Sequence, residues 1–423
     1  MFRKFGSLTC LLIILVTSGC ILGEFPSRRE IREGRNISNF TVDADAIYFG
    51  AAYKLYRINL STRSVEEIYS TDRIRVEQPI VADGVAYFGG VSYVDERGNF
   101  GERQGFFAVD LRSRKSLWKF PLGVGGYGTY GTYPVLAGDR ILVCAREHLH
   151  CLDRRSGKEL WKVDNWLGRD TDGTTVPYAY NGFVYFKIRE EYFTGNDSND
   201  GHWAKVALDS GGRTDVLPIA ETPGKYHDTD GDAIGILENG VVYGATRYDS
   251  NAYPASRFGA LDLEARKLLW EVRGSSVRTR PAISSRCVFT ISDNSIEALD
   301  KKTGDIVWKE PLGEIVQPTI ERSQDVGSWE YENKRSRRLV ATDEVVVTQG
   351  SQGVVARRAD NGRLLWLVKI ESEEGDADPL IFQRMVIVSS AKDCSILAVD
   401  LMNGRELWRV RIPDCRYHYI LDD

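Results

Sequence analysis

Cys144, His148, His150 and Cys151 place four soft metal ligands within eight residues, the side-chain types that bind zinc. In an alternating strand, His148 and His150 share one face and Cys151 takes the other, so the four do not surround one ion. Hard cations need clustered carboxylates instead, and Asp228, Asp230 and Asp232 are the calcium candidates. Against them, Ala233 stands where a twelve-residue calcium loop has its Gly, and Asn239 stands at its last ligand. The simpler reading is a solvated Asp-rich turn, as for Asp170–Gly173 and Asn196–Gly201. The sequence holds no His-Glu-x-x-His, Gly-x-Ser-x-Gly or Gly-x4-Gly-Lys-Ser/Thr pattern. No catalytic residue is assigned and no metal is expected.

The chain has 423 residues, a formal net charge of −5 and a pI near 5.8, which gives no electrostatic basis for nucleic-acid binding. At about 150 residues per domain its length suggests three domains. With 40 Gly, 20 Tyr, 16 Phe and 9 Trp against 3 Met, it favours many short strands joined by tight turns.

The first residues, Met1-Phe2-Arg3-Lys4, carry positive charge, and a nine-residue apolar stretch runs from Leu8 to Val16. A span needs about 20 residues, so this reads as a signal-peptide core. Thr17-Ser18-Gly19-Cys20 resembles a lipoprotein signal, with Thr17 departing from the preferred Leu. That resemblance implies lipidation of Cys20, with 1–19 removed. The charged segment 20–36 then reads as a tether to an extracytoplasmic membrane surface. Five Cys follow, and Cys144–Cys151 and Cys394–Cys415 are possible disulfides that leave Cys287 over.

A repeat organises the rest. Ala398-Val399-Asp400 is followed by Gly404 and Trp408, and the frame recurs at Asp300, Gly304, Trp308 and at Asp153, Gly157, Trp161. Asp110 with Trp118 and Asp262 with Trp270 have Arg114 and Arg266 at the Gly place, and Arg358 replaces the Asp before Gly362 and Trp366. Two worn copies have anchors at Asn59, with Glu67 at the Trp place, and at Asp209, with Gly212 and no Trp. The eight anchors lie about 49 residues apart. A Pro-led strand A and a Tyr/Val-rich strand B precede each frame; strand C ends in the Asp, and strand D carries the Trp. Four-strand units at this period predict an all-β fold, an eight-bladed β-propeller of four-stranded antiparallel blades, over residues 37–412 with a tail at 413–423. Trp118, Trp161, Trp270, Trp308, Trp366 and Trp408 are expected to dock between neighbouring blades.

This frame resembles the tryptophan-docking repeat of pyrroloquinoline-quinone (PQQ)-like propellers, across nearly the whole chain after the signal. Two branches matter: the quinoprotein alcohol dehydrogenases, which hold PQQ and calcium, and the propeller lipoproteins of the outer-membrane β-barrel assembly machinery. The dehydrogenases usually carry an adjacent Cys pair, and no two Cys here are neighbours. No cofactor is expected. The resemblance implies a non-catalytic scaffold, monomeric as a propeller, that meets membrane-associated protein partners. In the assembly lipoproteins a Leu/Arg loop before a blade-opening Pro touches the partner, and Ser276–Pro281 is the nearest segment here. The competing reading is a quinoprotein-like or carbohydrate-binding propeller that uses its central channel or its long-loop face.

In a meandering blade the B–C and D–A connections emerge on one face. Long B–C segments are expected at 89–105, 187–204 and 244–258, and long D–A segments at 119–133, 162–176, 218–232 and 367–378. They carry Tyr127, Tyr130, Trp166, Tyr192, Trp203, Tyr226, Tyr248 and Tyr253, interleaved with charge. Such aromatics suit a binding face on a rigid scaffold. One long loop, 321–338, falls on the opposite face.

Overall fold

Asp110, Asp153, Asp262, Asp300 and Asp400 each turn one carboxylate oxygen onto following backbone amides, at 2.6–3.2 Å. Asn59 does the same with its side-chain carbonyl. These bonds satisfy amides that the tight C–D turn leaves unpaired. The turns repeat around a ring seen in the computed structural model. It describes residues 30–421 apart from 36, 72–73, 95–99, 125–133, 146–147, 165–175, 190–200, 218–234, 250–254, 275–279, 293–294, 314–337, 351, 371–376, 391 and 414.

Eight four-stranded antiparallel sheets, each made of consecutive strands, form blades 1–8 at 41–70, 77–124, 134–164, 178–217, 236–274, 282–311, 338–369 and 380–411. The repeat already replaces the three domains that length alone suggests, because each blade can bury its faces only against its neighbours. The middle strands are buried on both faces: all six residues of Val345–Gly350 are covered. Alternation sends Val345 and Val347 toward Val386, Val388 and Leu397 of blade 8, and Val346 toward Phe289 and Ile291 of blade 6. The outer strand Leu364–Lys369 shows the half-exposed pattern of an edge.

The chain ends pair outside the blades. Glu30–Arg35 runs antiparallel to Arg416–Leu421 as a separate two-stranded sheet. Part of the segment read as a tether is therefore a strand. Of the two possible disulfides, Cys394–Cys415 is formed; Cys144, Cys151 and Cys287 are buried thiols.

The structure moves one anchor. In blade 4, Gly211 N donates to Ala207 O at 2.8 Å, and Ala207 N donates to Gly212 O at 3.0 Å. Those bonds belong to the Asp in other blades, as in Gly404 N to Asp400 O at 2.9 Å. Ala207 therefore holds the anchor place, with Gly211 as the turn Gly, and the expected anchor at Asp209 with Gly212 is corrected. A tempting Ala-Leu-Asp string masked a turn that lacks its Asp.

Candidate functional site

The Trp frame sets the geometry between blades. Five indole Nε1 atoms donate across a seam to the carbonyl just after the next blade's anchor. Trp118 reaches Arg154 O, Trp161 Leu208 O, Trp270 Lys301 O, Trp308 Ala359 O and Trp366 Leu401 O, at 2.8–3.2 Å. The ring lies flat on the next blade's turn Gly. At Gly404, φ is +71°, and a Cβ there would sit 2.8 Å from Trp366 Cγ. Only Gly supplies both that backbone and that space.

Two seams follow another plan, and sequence reading did not connect their parts. Where blade 1 has Glu67 in place of Trp, blade 2 has Arg114 in place of Gly, at φ +57°. Arg114 reaches back to Glu67 O at 3.2 Å and Glu66 Oε2 at 2.7 Å. With the blade 4 anchor at Ala207, Asp215 takes the Trp place, and Arg266 takes the Gly place in blade 5 at φ +54°. Lys205 lies directly opposite Asp215 in register, where Trp-bearing blades have Ala or Cys, as in Ala398 opposite Trp408. A small–Trp–Gly trio is thus exchanged for a basic–acidic–Arg trio. The signal is in the sequence, but only the seam pairs its members.

The two faces of the ring differ. On the A–B and C–D face, side chains clasp consecutive blades: Arg154 to Asp83, Asn181 to Glu264, Lys301 to Glu238 and Arg140 to Asp209. The opposite face carries projections. Middle strands of blades 3, 6, 7 and 8 have six residues. In blade 2 they lengthen to Val85–Val94 and Phe100–Asp110, in blade 4 to Phe183–Arg189 and Gly201–Ala207, and in blade 5 to Val241–Asp249 and Ala255–Asp262.

Much of what the sequence suggested as B–C loop at 89–105 and 244–258 is therefore hairpin ladder, and of 187–204 the parts 187–189 and 201–204 are paired strand while 190–200 lies outside the described residues. The corrected reading has a physical reason: continued backbone pairing costs less than a long open loop. Trp203 stands opposite Lys187 and Leu217, and Tyr248 opposite Ser256, so both belong to strands. Tyr127, Tyr130, Trp166, Tyr192, Tyr226 and Tyr253 lie outside the described residues, as do Asp228, Asp230, Asp232 and most of 321–338. Of Ser276–Pro281, only an exposed Arg280 and a buried Pro281 are described.

The Cys/His cluster has a packing role. His150 Nδ1 meets Glu159 Oε2 at 2.7 Å, and the His150 ring lies 5.5 Å from that of Phe120. Burial lowers the His150 pKa below the ordinary value near 6.5, against the opposing pull of Glu159. The folded form thus binds this proton less well than the unfolded chain, so stability present above the ordinary value falls as pH drops below it. Urea unfolding at pH 7 and pH 5 is expected to show a smaller acid loss in His150→Gln than in the parent.

Comparison with known proteins fits this geometry. A family model described as "Outer membrane protein assembly factor BamB" matches residues 102–217 and 321–415. The Yersinia pestis outer membrane protein assembly factor BamB is 31% identical over 135 residues, spanning 32% of this chain and 30% of that protein. The crystal structure of BamB from Moraxella catarrhalis superposes with a TM-score of 0.58 at 14% identity, covering 85% of this chain and 96% of that one. Quinohemoprotein alcohol dehydrogenase from Comamonas testosteroni gives 0.56 at 13% identity, over 79% of this chain and 66% of that one. The structural likenesses report fold; the sequence matches add the repeat type. With its docking tryptophans, Asp turns and eight blades, this chain belongs among the PQQ-like, BamB-like β-propellers.

Proposed function

We propose that the protein is a non-catalytic lipoprotein scaffold at an extracytoplasmic membrane surface, taking part in envelope protein assembly. The observation that carries this is the match of its repeats to the assembly-factor family. The shape of the ring supports it. One face is committed to clasps between blades, while hairpins of blades 2 and 5 project from the other. Projecting hairpins with aromatic residues such as Tyr248 suit recognition of a protein surface.

Crosslinking in intact cells, followed by recovery of the protein from solubilised membranes, tests the reading. A defined membrane-protein partner should co-purify, and its yield should fall at least tenfold when Tyr248, in the blade 5 hairpin, is changed to Ser. Recovery of only an unselective set of membrane proteins overturns the proposal. For anchoring, Cys20→Ala is expected to move nearly all the protein from the membrane to the soluble exported fraction. Continued membrane retention would refute lipidation at Cys20.

The fold likeness to a quinohemoprotein dehydrogenase gives the competing reading its support. The residues do not fit that group's adjacent Cys pair. Cys394 bonds to Cys415, which is 21 positions away, and Cys144, Cys151 and Cys287 are separate buried thiols. Incubation with PQQ and calcium should give no bound-cofactor spectrum.

A further inference from the structure

The seam between blades 8 and 1, where the ring closes, is built unlike the others. Trp408 has no turn Gly to lie on; the Arg63 guanidinium sits 5.2 Å from its ring centre. Among the described residues the buried Trp408 Nε1 has no hydrogen-bond partner, whereas five other docking indoles each donate across their seam. No blade is shared between the chain ends, so strand exchange within a blade does not close the ring.

Closure relies on the terminal segments. Asn39 and Asp378 exchange two hydrogen bonds, Asn39 Nδ2 to Asp378 Oδ2 at 3.0 Å and Asp378 N to Asn39 Oδ1 at 2.7 Å. Tyr56 donates its hydroxyl to Pro413 O at 2.9 Å. Ile37, Phe49 and Tyr56 from the start of the ring pack in one cluster with Ile387, Val410, Ile412 and Cys415 from its end. Beyond Cys415, the ribbon of Glu30–Arg35 and Arg416–Leu421 has only two strands, which is marginal without support. The covalent fastening is the disulfide. It joins Cys415, next to the ribbon, to Cys394, in the B–C turn of blade 8.

We propose that Cys394–Cys415 is a redox latch on this seam. Oxidised, it holds segment 412–421 against blade 8, so the terminal ribbon ties the two ends of the ring together. Reduced, it releases the ribbon and loosens the seam while the other blades stay folded. The reductant is a dithiol. Its thiolate attacks Sγ of the half-buried Cys394, the S–S bond breaks, and the Cys415 sulfur leaves as a thiolate that takes up a proton. The second thiol of the reductant, deprotonated, then attacks the mixed disulfide. It expels Cys394 as a thiolate that is protonated in turn, and the reductant departs as its own disulfide. The latch concerns the ring itself, so its test does not depend on a partner or on lipidation.

Amide hydrogen exchange on the full chain, with and without dithiothreitol, is the measurement. Reduction is expected to speed exchange at 30–35 and 416–421 at least tenfold, with Phe183–Arg189 and Gly201–Ala207 in blade 4 unchanged. Cys394→Ser should exchange at the reduced rate without reductant and ignore dithiothreitol. Unchanged exchange on reduction overturns the latch. So does a rise shared by all blades, which would mean the disulfide merely holds the whole fold together. The wild-type arm decides the matter even if the variant fails to fold.

Discussion

Trp366→Ala is expected to lower stability by about 3–5 kcal/mol, the usual cost of truncating a large aromatic in a packed interior. Trp366 packs with Val345 and Val347 of its own blade and with Val386 and Leu397 of blade 8, and it donates to Leu401 O at 2.8 Å. Alanine removes the ring and leaves that carbonyl to find water. Trp366→Phe keeps much of the packing and should lose less, with about 1 kcal/mol of its cost coming from the missing hydrogen bond. Gly404→Val attacks the same contact from the other side, because its Cβ would collide with the indole at a backbone φ that valine resists. Chemical denaturation, comparing midpoints at constant slope, checks all three. A loss below 1 kcal/mol in Trp366→Ala would show that the docking contact is dispensable.

The second large effect is a rescue. Asp215→Trp alone places an indole at a seam whose next blade has Arg266 instead of Gly, and opposite Lys205 instead of a small residue. Overpacking of this kind costs about 1–3 kcal/mol. Adding Arg266→Gly and Lys205→Ala converts the seam to the small–Trp–Gly plan and should recover most of the loss. The three changes are expected to be non-additive, with a coupling of about 0.5–3 kcal/mol. Additive losses would mean that the charged trio is three independent surface substitutions. The ion pairs themselves contribute little here, since exposed pairs such as Arg114 with Glu66 are worth about 0–1 kcal/mol. What the exchange preserves is shape: where no indole fills the seam, a long side chain from the next blade can turn back across it.

Much of the architecture was legible because it is local and repeated. The Asp-to-Gly-to-Trp spacing encodes a turn, a bulged strand pair and a docking ring within eleven residues, and it marks six blades directly. Blade 4 misled at the level of register. Ala207-Leu208-Asp209 copies the string of the frame, yet the backbone hydrogen bonds put Ala207 at the anchor. The candidate face was legible as a set of long insertions but not as structure. Its B–C segments continue the strands, since each added pair of residues satisfies its own amides and carbonyls.

Sequence alone determined the fold class, the blade count, the docking role of the tryptophans and the division between a short-turn face and an elaborated one. These follow from residue type and spacing inside one repeat, where the interacting groups are near in sequence. Tertiary structure decided which Arg stands against which acid, that Cys394 pairs with Cys415, and that strand 30–35 meets strand 416–421 across the full length of the chain. Such contacts depend on where the ring brings distant segments together, and no local periodicity records that meeting.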